Sequence, residues 1–432
     1  MDINKAFLRF DVRGNYPSVV DEELAGRIGK AIMQYLKTHD LAVAYDNRSS
    51  SVSLAEALMN AAASYGDRVI SFGQLPIPLF YYGIIKNRCP AGIMVTASHI
   101  SMGHNGFKFV RNNALPLNNA DINNLKALVH KGSSLPEGVS PKIIDMHEQI
   151  KTEYLIEMSN HFADLKWNKG KIVLDTGSSS VAAIAEDIFQ HLGLPYILIN
   201  PEREPNPLIA NNRRDLSSKV LSEKASLGIS WDGDGDRVIF VDARGELIPP
   251  SYILGIIARN YQKAVFDVRA GKSSYTSPEY LIVPSWAQNL KYAMDKDRSI
   301  GFGGETSGHL IFAEWYRIDD GLFSALKFLQ LCQNIDLETE LLNCRNQYPQ
   351  LPEENIPFTR NSALVLERMA DYYRNKGNNV LTIDGVTVSG PDFKFNLRES
   401  LTEALLRLNV EASSPQRLNT IHNEITRFIN ES

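Results

Sequence analysis

The sequence is poor in cysteine, and this scarcity excludes two kinds of stabilised fold. Only three cysteines occur among 432 residues, at Cys89, Cys332 and Cys344, and none belongs to a C-x-x-C pair. A scattered, odd-numbered set predicts neither a disulfide framework nor a structural zinc site. We therefore expect free thiols in a reducing compartment.

Long apolar runs and blocks of like charge are also missing. No apolar stretch approaches the ~20 residues that a transmembrane helix needs, and the N-terminal "MDINKAFLRFDVRG" lacks the apolar core of a signal peptide. The net charge is −5, which argues against nucleic acid or an anionic membrane as the partner. These features predict a cytoplasmic protein that acts on small molecules.

An internal repeat is present instead. "LAVAYDNRSSSVSLAEALMNAAASYG" from Leu41 and "GKIVLDTGSSSVAAIAEDIFQHLG" from Gly170 each predict an apolar strand, an Asp, a serine-rich turn and an amphipathic helix. "KAVFDVRAGKSSYTSPEYLI", which contains Asp267, is a weaker third copy. The pattern predicts repeated α/β units, each the size of a small domain.

Stretches rich in proline and glycine indicate where these units end. "KGSSLPEGVSP" (Lys131–Pro141) and "QYPQLPEENIPFTR" (Gln347–Arg360) interrupt the periodicity, and we place a third boundary near Gly245. After Arg360, a helix, short strands and a final helix predict a smaller α+β domain. The expected domains are residues 1–140, 141–245, 246–350 and 351–432.

The clearest chemical signal is "WDGDGDRVIFVDARG", where Asp232, Asp234 and Asp236 alternate with glycine between two strand-like runs. Side chains at alternate positions project to one side, and the glycines let the backbone curl around an ion. Three carboxylates suit Mg²⁺, which usually shares a phosphate ligand. A calcium EF-hand is set aside because Arg237 and Ala243 replace its glycine and its final glutamate. A solvated acidic hairpin tip is the other alternative, although its like charges would repel.

A second candidate is the glycine-rich segment "GFGGETSGHLIF". It places Glu305, Ser307 and His309 at alternate positions of a loop that leads into an apolar strand. Alternating polar side chains suit a polyhydroxyl ligand, but such loops are also ordinary turns between strands. Both interpretations stay open on these residues alone.

A third candidate lies near the C-terminus, in "NLRESLTEALLRLNVEA". Arg398, Ser400 and Thr402 offer a bidentate cation and two hydroxyls to a phosphate. Ser400 and Glu403 also fit a capping box at the start of an amphipathic helix, and the residues alone favour this alternative.

The stretch "VTASHISMGHNGFK" (Val95–Lys108) brings Ser98 and His99 from an apolar strand into a polar turn. Asn105-Gly106 before "FKFV" indicates a tight hairpin turn, in which Ser98 would be an ordinary turn residue. "FLRFDVRGNYP" places Arg13 at the end of an N-terminal strand, and one such arginine carries no function by itself.

Taken together and in this order, "DVRG", "TASHIS…NGFK", "DGDGDR", "GETSGH" and "RESLTEA" resemble the motifs of the α-D-phosphohexomutase family, which includes phosphomannomutases and phosphoglucomutases. The likeness spans nearly the whole chain. It implies three related α/β domains and a smaller C-terminal α+β domain around a central active-site cleft. It also implies Mg²⁺ as cofactor, hexose 1,6-bisphosphate as activator, and interconversion of hexose 6-phosphate and hexose 1-phosphate.

The resemblance also implies a role for each matched residue. Ser98 would carry the transferable phosphoryl group and complete a Mg²⁺ site with the three aspartates, Asp232, Asp234 and Asp236. Lys108 or His99 would transfer protons, with Lys108 preferred, and a positive field would come from Lys108, Arg13 and Arg237. Substrate binding is implied for Glu305, Ser307, His309, Arg398, Ser400 and Thr402.

Several positions depart from the family pattern. Ile100-Ser101 replace Asn-Pro, Leu401 replaces Asn, Ala404 replaces Pro, and Trp286-Ala287 stand where the third domain usually carries Gly-His. Thr306, inside "GETSGH", does not indicate which sugar phosphate is the substrate. We expect mannose phosphate as the substrate, with glucose phosphate next. A phosphoglucosamine mutase and a non-catalytic sugar-phosphate-binding protein are the alternatives.

Overall fold

The structure is a computed structural model that describes residues 3–65, 68–132, 142–400 and 404–431. Within it the chain forms two units, Met1–Leu247 with His309–Gln333 and Ile248–Gly308 with Asn334–Ser432. Most of the boundary expected at Lys131–Pro141 lies outside the described residues.

The first sheet of the first unit has the strand order β1-β5-β4-β2-β3-β6. Its strands are β1 (Asp11–Asn15), β2 (Asp40–Tyr45), β3 (Arg68–Gln74), β4 (Ala91–Val95), β5 (His104–Arg111) and β6 (Ile143–Asp145). Its helices are α1 (Glu22–Leu36), α2 (Ser51–Ala63), α3 (Ile77–Lys86) and α4 (Asn119–Lys131). Strand β2 pairs parallel with β3 and β4, and β5 pairs antiparallel with β4 and β1. The central strands are apolar on both faces, as expected of a sheet covered by helices.

The second sheet of this unit has the order β10-β9-β7-β8. Its elements are α5 (His147–His161), β7 (Ile172–Asp175), α6 (Ala185–His191), β8 (Tyr196–Ile199), α7 (Arg214–Glu223), β9 (Leu227–Trp231) and β10 (Val238–Asp242). The arrangement repeats the order β5-β4-β2-β3, with β7 parallel to β8 and β9 and with β10 antiparallel to β9. The predicted repeat is therefore present, although the expected second helix is divided into a 3-10 turn, Ser180–Ala183, and the short α6.

In the second unit, the third copy of the repeat places β11 between β12 and β13, again in parallel. Its elements are α8 (Pro250–Ala258), β11 (Lys263–Asp267), β12 (Glu279–Val283), α9 (Ala287–Lys296) and β13 (Phe302–Gly304). The chain then returns to the first unit for β14 (Leu310–Phe312) and α10 (Gly321–Cys332).

The second unit ends in an antiparallel sheet of order β15-β19-β18-β17-β16. Its elements are α11 (Leu337–Gln347), β15 (Glu354–Pro357), α12 (Ser362–Asn375), β16 (Asn379–Leu381), β17 (Val386–Ser389), β18 (Phe393–Glu399), β19 (Leu405–Ala412) and α13 (Pro415–Glu431). Apolar side chains of α12 and α13 pack on the sheet, with Met369 and Ile425 fully buried. The fold is thus three related α/β parts followed by a smaller α+β part, as predicted.

Two local expectations are wrong. Asn105-Gly106 lies inside β5, not in a hairpin turn, and the connection between β4 and β5 is the Ser98 segment. Leu405–Ala412 is a strand, not the amphipathic helix that a capping box at Ser400 would begin. Alternate residues of this strand are buried between β18 and β15, and pairing on both sides outweighs the local helix signal.

The three cysteines are free, as expected. Among the described helices, none is long and apolar enough to cross a bilayer.

Candidate active site

Ser98 lies in the connection between β4 and β5, with a left-handed backbone (φ 55°) and only 1% of its surface exposed. The turn is held locally, because Ser98 N donates to Thr96 Oγ1 at 2.8 Å. Ser98 Oγ donates to Asp232 Oδ2 at 3.2 Å and lies 3.4 Å from His99 Nδ1. The structure therefore brings together the predicted serine and the first aspartate of the predicted metal loop.

An arginine that sequence reasoning missed holds this serine loop, defined as residues 96–104. Arg48 follows β2, is 2% exposed, and its Nε donates to Asp46 Oδ2 at 3.1 Å. Its two Nη atoms donate to the carbonyls of four loop residues: Ser98 (2.8 Å), Ile100 (2.6 Å), Ser101 (2.6 Å) and His104 (3.0 Å). Burial raises the pKa of Asp46, although the charge of Arg48 acts in the opposite direction. The signal lies in "YDNRSSS", where the arginine stands two residues after the Asp and directly before the serine-rich turn.

The second repeat also pairs a buried aspartate with an arginine that holds a backbone segment, but this arginine comes from farther along the chain. Arg203 Nε donates to Asp175 Oδ2 at 3.1 Å, and Arg203 Nη2 donates to Ser230 Oγ and Trp231 O, both at 3.0 Å. Trp231 is the residue immediately before Asp232. The arginine therefore fixes the start of the segment that carries the three aspartates.

Those three aspartates converge as the alternating pattern predicted. Asp232, Asp234 and Asp236 each offer a carboxylate oxygen within 4.8 Å of the others, and none is more than 2% exposed. The intervening Gly233 allows close approach, because a Cβ there would lie 2.4 Å from Ser98 O. The solvated hairpin tip is excluded by this burial.

Lys108 supplies the nearest positive charge to the aspartates. Its Nζ lies 2.7 Å from Asp234 Oδ2 and 2.7 Å from Asp236 Oδ2. Burial opposes its charge, but these carboxylates outweigh burial and raise the pKa of Lys108. Burial, followed by the charges of Asp236 and Asp234, raises the pKa of Asp232 to about 7. The cluster thus has an excess of negative charge that one lysine does not balance.

The residues fit a divalent cation. Among the described residues, no group donates a hydrogen bond to Asp234 Oδ1 or Asp236 Oδ1, although both atoms are buried. Buried carboxylate oxygens normally have partners, so these two atoms are available as ligands. Three hard oxygen donors on one loop suit Mg²⁺.

Arg13, Arg237 and His309 lie in the same unit, around these groups. Arg13 is in the middle of β1 rather than at its end, and its Nη1 donates to Ala97 O at 3.0 Å. Arg237 Nε donates to His309 Nε2 at 3.0 Å and lies 3.6 Å from Asp232 Oδ2. Burial lowers the pKa of His99, and the charges of Arg237, Arg13 and Lys108 act in the same direction.

His309 lies in a different unit from Glu305 and Ser307, the two residues predicted to bind substrate with it. It belongs to the first unit, where its Nδ1 lies 3.1 Å from Asp319 Oδ2, whereas Glu305 and Ser307 belong to the second unit. Burial opposes protonation of His309, but the charges of Asp236 and Asp319 outweigh it and raise the pKa.

In the second unit, Glu305 is part of a buried charge network. Arg269, which sequence reasoning also missed, donates to Asp267 Oδ2 and to Glu305 Oε1. Trp286 N donates to the same Glu305 oxygen at 3.1 Å. Ser307 Oγ is buried, and no described group forms a hydrogen bond with it. Both missed arginines stand two residues after an Asp: Asp46 follows the last residue of β2 in "YDNR", and Asp267 is the last residue of β11 in "FDVR".

The predicted phosphate ligands lie at the end of β18. Arg398 Nη2 donates to Glu353 Oε2 at 3.4 Å, and burial lowers the pKa of Arg398. Ser400 is 7% exposed, and its N donates to Leu405 O at 3.0 Å. Thr402 lies outside the described residues.

Comparison with known proteins agrees with this geometry. Four family models of phosphoglucomutase/phosphomannomutase match the chain in order: α/β/α domain I over residues 4–136, domain II over 152–245, domain III over 287–348 and the C-terminal domain over 353–428. The chain belongs to the phosphoglucomutase/phosphomannomutase family. It is accordingly an isomerase of the phosphohexomutase type.

Individual relatives match this phosphohexomutase over nearly its whole length. A phosphomannomutase/phosphoglucomutase of Pseudomonas aeruginosa is 30% identical, covering 96% of this chain and 93% of the relative. A phosphomannomutase of Vibrio cholerae is 28% identical and covers 98% of both chains. Other relatives are named phosphoglucosamine mutases. The solved structure of a phosphoglucomutase/phosphomannomutase family protein from Burkholderia thailandensis shares the fold, with a TM-score of 0.86, 24% identity and coverage of 100% of this chain and 98% of that one.

Proposed function

We propose that this phosphohexomutase interconverts hexose 6-phosphate and hexose 1-phosphate through a phosphoserine at Ser98 and a bisphosphorylated sugar intermediate. One observation carries the proposal. The hydroxyl of Ser98 lies 3.2 Å from Asp232 Oδ2, beside a buried trio of carboxylates that suits a divalent cation. Mannose phosphate is the first expected substrate and glucose phosphate the second.

In the first half-reaction, the phosphoryl group on Ser98 Oγ passes to the free hydroxyl of a hexose monophosphate. The O–P bond at serine breaks and a new O–P bond forms at the sugar. The proton of the sugar hydroxyl is taken up by a nearby base, and Ser98 Oγ gains a proton from a nearby acid to leave as the hydroxyl. After the bisphosphate reorients, its other phosphoryl group returns to Ser98 Oγ. The net result is an isomerised monophosphate and a regenerated phosphoserine.

The chain supplies groups for each part of this transfer. Asp232, Asp234 and Asp236 would hold Mg²⁺, which when bound supplies charge stabilisation for the phosphoryl group. Lys108 and Arg13 would add to this positive field, as would Arg237. Lys108 is the first candidate for proton transfer and His99 the second, since His99 Nδ1 lies 3.4 Å from Ser98 Oγ.

Substrate recognition is proposed for two sets of residues. Glu305 and Ser307 would bind sugar hydroxyls, and His309 would also bind the substrate. Arg398, Ser400 and Thr402 would hold the phosphate that is not reacting. Hexose 1,6-bisphosphate would act as the activator that phosphorylates Ser98. We also propose a cytoplasmic location and four domains, residues 1–140, 141–245, 246–350 and 351–432.

A glucosamine phosphate is the alternative substrate, because several relatives are named phosphoglucosamine mutases. Assays with mannose, glucose and glucosamine 1-phosphates, each with Mg²⁺ and a trace of bisphosphate, distinguish the three sugars. Absence of turnover with all three, despite binding, would support a non-catalytic sugar-phosphate-binding protein instead.

The phosphoserine is tested by intact-protein mass. The active form should be about 80 Da heavier than the unmodified chain, because a phosphate replaces a proton, and should lose this mass on incubation with excess hexose monophosphate. Ser98→Ala should bind sugar phosphate but lose turnover by several orders of magnitude. Ser101→Ala, in the same loop, is the matched control and should stay active. Phosphate recovered on another residue would show that the assignment is wrong.

The metal site is tested by removing a charge from it. Asp234→Asn keeps the shape of the side chain and should abolish most activity, and EDTA should do the same to the wild type. Asp242→Asn is the matched control and should stay active, because Asp242 lies at the end of β10 and binds Arg244 rather than the trio. Full activity of the wild type in EDTA would contradict the metal assignment.

A further inference from the structure

Trp286 has an unusual backbone conformation. Its dihedral angles are φ 96° and ψ 124°. The other described non-glycine residues with positive φ all lie between 50° and 59°, within the left-handed helical region. A bulky residue outside that region is strained and persists only where its surroundings hold it in place.

Backbone hydrogen bonds provide that support. Trp286 N donates to Glu305 Oε1 at 3.1 Å, and Trp286 O accepts from Asn289 N at 2.9 Å. The preceding Ser285 N donates to Asp384 Oδ2 at 3.2 Å. A glycine at position 286 would keep all three bonds and relieve the strain. The tryptophan therefore contributes its indole ring rather than the conformation of the loop.

The backbone N–H of Trp286 binds the carboxylate of Glu305, which other contacts hold in place. Glu305 is 5% exposed and accepts from Arg269 as well as from Trp286 N. Trp286 is half-buried, whereas the other three tryptophans are buried: Trp167 at 3% exposed, Trp231 at 0% and Trp315 at 2%. A hexose ring presents C–H bonds on one face and hydroxyls at its edge. Because the backbone N–H of Trp286 is bound to Glu305, an aromatic side chain and a hydrogen-bond acceptor start from neighbouring points of the structure, and this pair matches that combination.

We infer that Trp286 is a specificity-determining residue whose indole packs against the C–H face of the hexose while Glu305 binds the ring hydroxyls. This inference rests on the proposed function, since it requires a hexose phosphate as the ligand. Neither the metal loop nor the serine loop would provide such a contact, because their polar groups match phosphate and cation instead.

Tryptophan fluorescence tests the contact directly. Mannose 6-phosphate and glucose 6-phosphate should change the emission of the wild type and shield it from acrylamide, and inorganic phosphate should not. The response should disappear in Trp286→Phe, which leaves the three buried tryptophans in place. An equal response to inorganic phosphate, or an unchanged response in Trp286→Phe, would overturn the inference.

Kinetics separate a role in sugar recognition from one in folding. Trp286→Gly should raise KM about tenfold and change kcat less, whereas a role in folding alone would lower the melting temperature and leave KM unchanged. Trp286→Phe should recover most of the loss in KM. Tyr280→Ala removes another aromatic ring of the same unit, 49% exposed on β12, and should leave KM unchanged.

The two proposals fail in different ways. A wild-type KM in Trp286→Gly, with normal turnover of hexose phosphate, would overturn the inference alone. An inactive wild type with a sugar-dependent fluorescence response that requires Trp286 would support the inference and overturn the proposed function.

Discussion

The serine loop of the first repeat and the glycine-rich loop of the third are both held by an arginine that pairs with an aspartate at the end of a strand or just after it. The two arginines, however, hold different groups. Arg48 donates to four backbone carbonyls of the serine loop. Arg269 donates to one side chain, the carboxylate of Glu305. The first loop is therefore held through atoms that every residue has, and the second through one particular residue.

This difference explains where the sequence can vary. Ile100-Ser101 replace the Asn-Pro of the family pattern, yet the carbonyls of both residues accept from Arg48. Arg48 thus holds the loop at both of these positions without a proline. Glu305 has no such freedom, because another side chain at that position would leave Arg269 buried with only Asp267 as a partner.

The largest effect is expected for Arg48→Leu. It leaves Asp46 buried without its counter-charge, although Ser51 Oγ still donates to it, and it frees four carbonyls. The unfolding free energy should therefore fall by about 3–5 kcal/mol and kcat by about a hundredfold as Ser98 is displaced. Urea unfolding and steady-state kinetics measure the two effects. Arg68→Leu breaks a more exposed ion pair with Asp40 in the same sheet and should cost less than about 1 kcal/mol. Similar losses in both variants would remove the distinction.

A smaller and different effect is expected for Arg269→Leu. Glu305 loses its partner while the serine loop is intact, so KM for hexose phosphate should rise about tenfold and kcat should change less. Arg259→Leu, which breaks an ion pair with Glu340 in the same unit, is the control. If Arg269→Leu lowered kcat as much as Arg48→Leu and left KM unchanged, the two arginines would have the same role and the comparison would fail.

A pH effect on stability is expected from Lys394, a residue of β18 that binds the third repeat. Lys394 donates to Val268 O at 3.0 Å and to Ala270 O, on either side of Arg269, and burial lowers its pKa from 10.5 to about 8. Between these values the unfolded chain binds more protons than the folded one. Stability should therefore rise with pH from about 8 to 10, with a full effect of about 3 kcal/mol for this group.

Unfolding free energies measured across that pH range test this expectation. Lys394→Met should remove the rise. Lys376→Met, which changes a surface lysine whose pKa is raised by the hydrogen bond that its Nζ donates to Glu424, should retain it. An identical pH profile in wild type and Lys394→Met would show that Lys394 does not titrate there.

The smallest effect is expected for Ile100→Ala. The side chain changes, but the carbonyl bound by Arg48 stays, so stability should change by less than about 0.5 kcal/mol and kcat by less than about twofold. Circular dichroism and the mutase assay measure both. A tenfold loss of kcat would mean that side chains of this loop, and not its carbonyls, determine its shape.

Local patterns were sufficient to predict part of this molecule. The alternation of Asp232, Asp234 and Asp236 with glycine needs only neighbouring residues, and the strand, Asp and serine-rich turn of each repeat are contiguous. Features that depend on distant partners were missed. Arg203 joins Asp175 across 28 residues, and Leu405–Ala412 becomes a strand because β18 and β15 pair with it. Asn105-Gly106 likewise lies in a strand because β1 and β4 flank it.

The position of Arg203 has a consequence for how these repeats could be exchanged between proteins. In the first and third repeats the aspartate and its arginine are two residues apart, so a short grafted segment would transfer both together. In the second repeat the arginine comes from the connection after β8. A chimera that joined two parent proteins between Asp175 and Arg203 would take the two residues of this ion pair from different parents. Recombination there should therefore be tolerated only where both parents have the same residues at these two positions.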